Sequence, residues 1–460
     1  MIRPVTLTLF FTFFAFCCSA QSWKWAVETP DPSEVIDIAA GTRGESIVLT
    51  KGLENEYHLD VYDSSGIRVR EKTMLFRDYS SSELYALETD DTGNIYLVSR
   101  QVLDIAPPVI VMREWWDQRD GHGLYEDEIP GEPDFHTFIV LEKYSPELEL
   151  ITQMKLLRAD AMDEGSYPEY SVSVRDFYVD GKGACWVAGK KQMNARVCWR
   201  EDVEITDAGK GCHFLMKIGS ALKQPEWVIA FAGGDAGDIN TMHIAVNNVG
   251  ICMMSGCFYD SIKFGDKLLR AHDVPVNARS GENEMYLTAV SSEGKLLWAQ
   301  STGVHSYDED VVALSGGGFV ASGRCMNADH IGETKLAKEQ PVAMFLIEID
   351  PNTGKHGKLY FNDTSAINNL EAGRNNDFYC DFQLKNSSDL LFIYHFDSKL
   401  KPKLVSRYLG HDSVTCSRNG VIFYSASWSG CAAFGFRPYE AYLPGDLSYS
   451  AGFLAKFTIK

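Results

Sequence analysis

Two adjacent tryptophans and nine acids share one short stretch of this chain. Residues 101–136 hold Asp104, Glu114, Asp117, Asp120, Glu126, Asp127, Glu128, Glu132 and Asp134 against Arg113 and Arg119, with Trp115, Trp116 and Tyr125 among them. Indole rings stack on sugars or peptide side chains, while nearby carboxylates accept hydrogen bonds or hold a hard cation such as Ca2+. The candidate ligand-binding residues are therefore Trp115, Trp116, Asp117, Arg119, Asp120 and Tyr125. The plainer reading packs the tryptophan pair onto a neighbouring element and leaves the acids as a solvated surface, the commoner fate of aromatics in a long insertion. Glu126–Glu128 and Ser306–Asp310 are acidic clusters, yet neither follows the D-x-[DN]-x-[DN]-G loop with its distal Glu. No cofactor is expected, and Ca2+ is the one cation these acids suggest.

Motifs for catalysis are mostly missing. There is no HExxH, no GxSxG and no GxGxxG opening a helix. The segment from Gly183 to Lys191 resembles a phosphate-binding loop only superficially, with five residues between its glycines and Lys191 where Ser or Thr is required. No catalytic residue is assigned. Carboxylates converging from distant segments would still make a glycosidase or lyase, because such a pair needs only to meet in space.

Cysteine chemistry points to packing. Beyond Cys17 and Cys18 there are nine cysteines and no CxxC, which leaves a zinc ribbon or thioredoxin-like site without support. Cys185 and Cys252 stand two residues after Gly183 and Gly250, as Val320 and Ile422 do after Gly318 and Gly420. A slot shared by Cys, Val and Ile reads as a core position. Cys198 and Cys212 bracket one connection and form the candidate disulfide, which an exported chain permits.

Export is expected from residues 1–20, where Arg3 is followed by an apolar run from Val5 to Cys18 and by the small residues Ser19 and Ala20. Cleavage before Gln21 leaves a secreted, periplasmic or cell-surface chain, a lipoprotein fitting Phe16 less well. No later stretch reaches the ~18–20 apolar residues that span a bilayer. Lys plus Arg number 43 and Asp plus Glu 63, a formal charge of −20. Such a chain has little to offer phosphate, so nucleic acid is not an expected partner.

The elements that must position these residues repeat. A strand, a Gly or Asn turn and a second strand recur at 83–99, 175–189, 242–256, 310–323 and 412–427, and more weakly at 34–50 and 377–394. Between them a second hairpin recurs at 57–75, 137–154, 213–231, 285–301 and 344–361. Each end of the chain holds half of one such hairpin, Ser22–Val27 at the start and Phe453–Lys460 at the finish. Pairing them completes a ring, which removes open strand edges. The expected fold is all-β: a β-propeller of seven four-stranded blades over residues 21–460, closed by its terminal strands. Residues 390–410 hold the unit where the count is weakest.

These repeats resemble the secreted bacterial seven-bladed propeller repeats of the SBBP-like type. The resemblance is carried by Asp91-Thr92-Gly93-Asn94-Ile95-Tyr96, by Ser255-Gly256-Cys257-Phe258 with Ile262-Lys263-Phe264-Gly265, and by Phe453-Leu454-Ala455-Lys456-Phe457; Trp428-Ser429-Gly430-Cys431 with Phe434-Gly435 echoes the second. It implies a propeller fold and an exported location, and brings no shared catalytic set.

Strand alternation places the long connections (101–136, 191–212, 259–284, 326–341 and 429–450) on one face of the disc, opposite the tight turns. Two functions follow. The first is an exported binding or scaffold module that recognises an extracellular protein or glycan through the loop-rich face, with no catalysis required. The second is a carbohydrate-active hydrolase or lyase with carboxylates at the channel mouth.

Overall fold

The computed structural model describes residues 21–28, 34–52, 56–76, 81–104, 109–117, 121–129, 135–161, 172–191, 195–200, 203–205, 212–233, 242–258, 260–271, 284–305, 310–331, 334–362, 366–373, 375–383, 390–409, 411–418, 421–428, 433–434, 437–438 and 451–459. Antiparallel pairing joins nearly all of them into an all-β propeller.

Six blades take four strands each from one run of chain. The first is Glu34–Ala40, Ser46–Lys51, Glu56–Tyr62 and Arg68–Leu75; the second is Ser81–Thr89, Ile95–Asp104, Phe135–Tyr144 and Leu150–Ala161. The third is Val172–Val179, Cys185–Lys191, Cys212–Ile218 and Pro225–Gly233; the fourth is Met242–Val246, Cys252–Phe258, Glu284–Val290 and Leu296–His305. The fifth is Asp310–Ala313, Phe319–Ile331, Thr334–Ile349 and His356–Asn362; the sixth is Ala366–Ala372, Phe378–Gln383, Leu390–Phe396 and Pro402–Leu409. A terminal sheet combines both ends of the chain, in the order His411–Arg418, Val421–Trp428, Ala451–Ile459, Gln21–Glu28. Gln21 lies opposite Ile459 and Glu28 opposite Phe453, the antiparallel match expected of the two orphan half-hairpins.

Burial follows position in the blade. The second and third strands are covered on both faces, as in Cys185–Lys191 and Glu284–Val290, whereas Arg68–Leu75 at the rim is mostly exposed. Apolar side chains interleave between successive sheets, and one continuous cluster runs from Trp186 through Tyr286 to Phe345. Leu454 of the terminal sheet, fully buried, packs with Val35, Ile38, Ala40, Val48 and Tyr62 of the first blade.

The tight turns share one device. Asp63, Asp90, Asp180 and Asn247 each accept backbone N–H groups from the residues two and four positions on, at 2.8–3.2 Å. Three residues after each stands a glycine at positive φ: Gly66, Gly93, Gly183 and Gly250. That is the left-handed residue such hairpin loops require. Asp90, the residue just before the Asp91-Thr92-Gly93-Asn94-Ile95-Tyr96 signature, also accepts the Tyr96 hydroxyl at 2.9 Å and so holds that turn from three sides.

Four expectations need correction. Residues 377–394 are not an inner hairpin; they supply the second and third strands of the sixth blade, whose first strand is Ala366–Ala372 and whose outer hairpin joins Leu390–Phe396 to Pro402–Leu409. The turn at 373–377 has Asn376 in the left-handed conformation, φ 56°, and lacks the glycine that marks the others. In the fifth blade the positive-φ glycine is Gly317 rather than Gly318, so Phe319, not Val320, matches Cys185 and Cys252; all four are fully buried. Cys198 is a free, buried thiol in the strand Ala195–Arg200 on the second blade, while Cys212 opens a strand of the third, and no bridge joins them. Among the described residues, the long connections are largely strands themselves. Ala195–Arg200 with Val203–Glu204, Ser261–Phe264 with Lys267–Arg270, and Ala433–Phe434 with Arg437–Pro438 are hairpins, and Phe319–Ile331 pairs with Thr334–Ile349 out to Ile331 opposite Thr334.

Those three hairpins have a common destination. Each leaves one sheet between its second and third strands and pairs with the end of the outermost strand of the sheet before it. Ala195–Cys198 pairs with Arg158–Ala161, Ile262 and Lys263 with Gly233 and Ala232, and Ala433 and Phe434 with Leu409 and Tyr408.

Candidate functional site

The first strands of the blades surround a central channel, a cavity of about 590 Å3 lined from all six. Three carboxylates repeat around it. Asp37 Oδ1 accepts the Ile38 N–H at 2.7 Å and Oδ2 the Leu87 N–H at 2.7 Å. Asp176 accepts Phe177 at 2.7 Å and Ile244 at 2.6 Å, and Asp310 accepts Val311 and Leu370, both at 2.7 Å. In every case one bond is made within the strand and the other to the first strand of the next blade. Each carboxylate thus ties an odd-numbered blade to its successor.

Their positions follow one rule. Asp37, Asp176 and Asp310 stand seven residues before the left-handed glycine of their hairpin turn, Gly44, Gly183 and Gly317. The same offset from Gly93, Gly250 and Asn376 falls on Ala86, His243 and Asn369 in the even-numbered blades. Sequence reading concentrated on the acid-rich connection and passed over this offset, the one signal that would have found the ring.

His243 lies between two of the carboxylates, its Nδ1 3.7 Å from Asp176 Oδ2 and 3.7 Å from Asp310 Oδ1. Those two oxygens are therefore no more than twice that distance apart. The Asp176 and Asp310 side chains are 26% and 19% exposed, into the channel. Burial dominates their protonation. It pushes the Asp37 carboxyl up to about 7 and that of Asp176 up to about 6 against the pull of the N–H bonds, and raises Asp310 as well. Neighbouring charge adds to the rise, from Asp176 at Asp37 and from Asp310 at Asp176, while His243 opposes it at Asp176 and Asp310. No group of three metal-ligating side chains occurs among the described residues.

The sequence-derived candidates lie elsewhere. Trp115, Trp116 and Asp117 end the strand Val109–Asp117, and Tyr125 lies in Gly121–Ile129; together these strands form a two-stranded sheet. Trp115 is opposite Gly123, Trp116 opposite His122 and Arg113 opposite Tyr125. Alternation along a strand puts Trp115 and Tyr125 at positions on one face of this ribbon and Trp116 at a position on the other. Arg119 and Asp120 lie outside the described residues. No helix among the described residues is long and apolar enough to cross a membrane.

No known family matches the chain, and no curated protein does. Among solved structures, a protein of unknown function from Dyadobacter fermentans shares 8% identity, with 96% of this chain and 100% of that one covered at a TM-score of 0.42. The Dos1 propeller shares 8% over 95% of each chain, at 0.45. A polysaccharide lyase, an ulvan lyase, shares 9% over 87% of this chain and 93% of its own, at 0.46.

Proposed function

We propose that the protein is an exported binding module that recognises an extracellular protein or glycan through the face from which the connections between second and third strands emerge. The same reading takes the terminal sheet as a seventh blade that closes the ring. One observation carries the assignment of the binding face. Three connecting hairpins are hydrogen-bonded onto neighbouring rims, whereas 109–129, the equivalent hairpin of the second blade, forms a sheet of its own. A ribbon bearing Trp115, Trp116, Asp117 and Tyr125 is thereby presented on a rigid scaffold. The channel carboxylates supply less to catalysis than their number suggests, because both oxygens of each are already engaged by backbone N–H groups.

The test is a protein and glycan array probed with residues 21–460, followed by two variants on any ligand found. Changing Trp115 and Trp116 together to Ala should cost ~2 kcal/mol or more, a loss of about 30-fold in affinity. Substitutions in the 63–66 and 292–294 turns should leave affinity unchanged. The reverse pattern, with both variants folded, assigns binding to the opposite face.

A hydrolase or lyase is the second reading, favoured by the closeness of Asp176 and Asp310 across His243. It requires that the wild type turn over a polysaccharide and that Asp176→Asn abolish that turnover.

A further inference from the structure

The three carboxylates that tie blade to blade meet in one cavity. Asp37, Asp176 and Asp310 share the channel with Arg175 on the third blade and His243 on the fourth, and with Glu88 and Asp91 from the second and Glu371 from the sixth. Side chains of the strand His411–Arg418 lie outside the described residues. Two consequences of protonation oppose each other at every latch. An ionised carboxylate is the better acceptor for two N–H groups, but it puts a charge in a half-buried channel that holds the other acids as well. His243 couples two of them, because a protonated imidazole 3.7 Å from each offsets their charge and a neutral one does not.

We propose that the inner ring is a proton-linked latch, in which Asp37, Asp176 and Asp310 hold protons in the channel on the acid side of neutrality and release them as the pH rises, weakening the junctions they span. The direction follows from linkage. The folded protein holds these protons more tightly than the unfolded chain, as the raised carboxyls require. The stabilising contribution is then complete below the ordinary carboxyl range and is lost as the pH rises, through about 6 at Asp176 and about 7 at Asp37. The charge within the channel changes over the same range, so the latch also sets how negative a surface the channel presents.

The experiment is urea unfolding of the wild-type chain from about pH 5 to about pH 8 at fixed ionic strength, where each proton released changes the folding constant by up to about tenfold per pH unit. Asp37→Asn, Asp176→Asn and Asp310→Asn are measured singly and together. An amide keeps one carbonyl acceptor for an N–H group and cannot ionise, so each single variant should flatten part of the wild-type slope and the triple variant most of it. Carboxyl carbon NMR of the wild-type protein gives a second measurement that does not depend on any variant folding. Asp37 and Asp176 titrating near neutrality, and Asp310 above the ordinary carboxyl value, are expected. A wild-type stability that does not fall with pH, a triple variant that keeps the wild-type slope, or aspartate signals that all titrate near the ordinary value would each overturn the proposal.

Discussion

Replacing Leu454 by Ala tests the joint between the two ends of the chain. Leu454 belongs to the last strand, is fully buried, and its apolar neighbours Val35, Ile38, Ala40, Val48 and Tyr62 all belong to the first blade. Truncating a leucine in such a site loses its transfer free energy and leaves a cavity, together about 2–5 kcal/mol. The backbone around it is held by Ser425 on one side and Val27 on the other, which limits collapse into the space and favours the middle of that range. A cost of about 3 kcal/mol lowers the folding constant by roughly 100-fold. The assay is urea unfolding followed by tryptophan fluorescence, reading a shift in midpoint at constant slope. Leu404→Ala is the control, because that side chain is 47% exposed and its loss should stay within about 0.5 kcal/mol. If Leu454→Ala is no more costly than the control, the last strand does not seal against the first blade and the closed ring is wrong.

Two further outcomes are expected. A thiol reagent should leave Cys185 and Cys252 unmodified in the native protein and reach both after denaturation, since both are free, fully buried, and held by burial well above the ordinary thiol range. Gly189→Ala should destabilise by about 1–3 kcal/mol in the same urea assay, because the added methyl would meet Phe214 and lie 2.5 Å from the Ser173 carbonyl oxygen; a neutral change would show that the third blade can relax there.

Much of the fold is written locally. Alternating apolar residues on either side of Asp90–Asn94 or Asn247–Gly250 specify a hairpin because only a left-handed residue permits the turn, and glycine announces it. The sixth blade was misplaced where that announcement is missing: Asn376 adopts the conformation through a side chain common in any loop. Connections such as 261–270 were read as loops because their strands are only four residues long and find their partner on another blade, information that periodicity within a window does not hold. The channel carboxylates were hidden for a different reason. Asp37, Asp176 and Asp310 are single acids in apolar strands, and only superposing the turns makes their common offset visible. The Trp115–Trp116 ribbon was conspicuous from composition, yet composition did not reveal that it is a hairpin with the two indoles at positions on opposite faces.

The rim hairpins make neighbouring blades overlap like roof tiles. Residues 261–270 belong to the fourth blade by chain order and to the third by hydrogen bonding, and 195–204 stand in the same relation to the third and second. A blade is therefore not a cassette with clean borders. Excising residues 242–305 would take out one blade and also uncover the edge of the one before it, at Ala232 and Gly233. A unit that could be duplicated, deleted or transplanted without leaving a raw edge would run from the middle of one blade to the middle of the next. Opening the chain at 234–241 in a permuted protein would leave all three rim hairpins in place, because none of them begins or ends there.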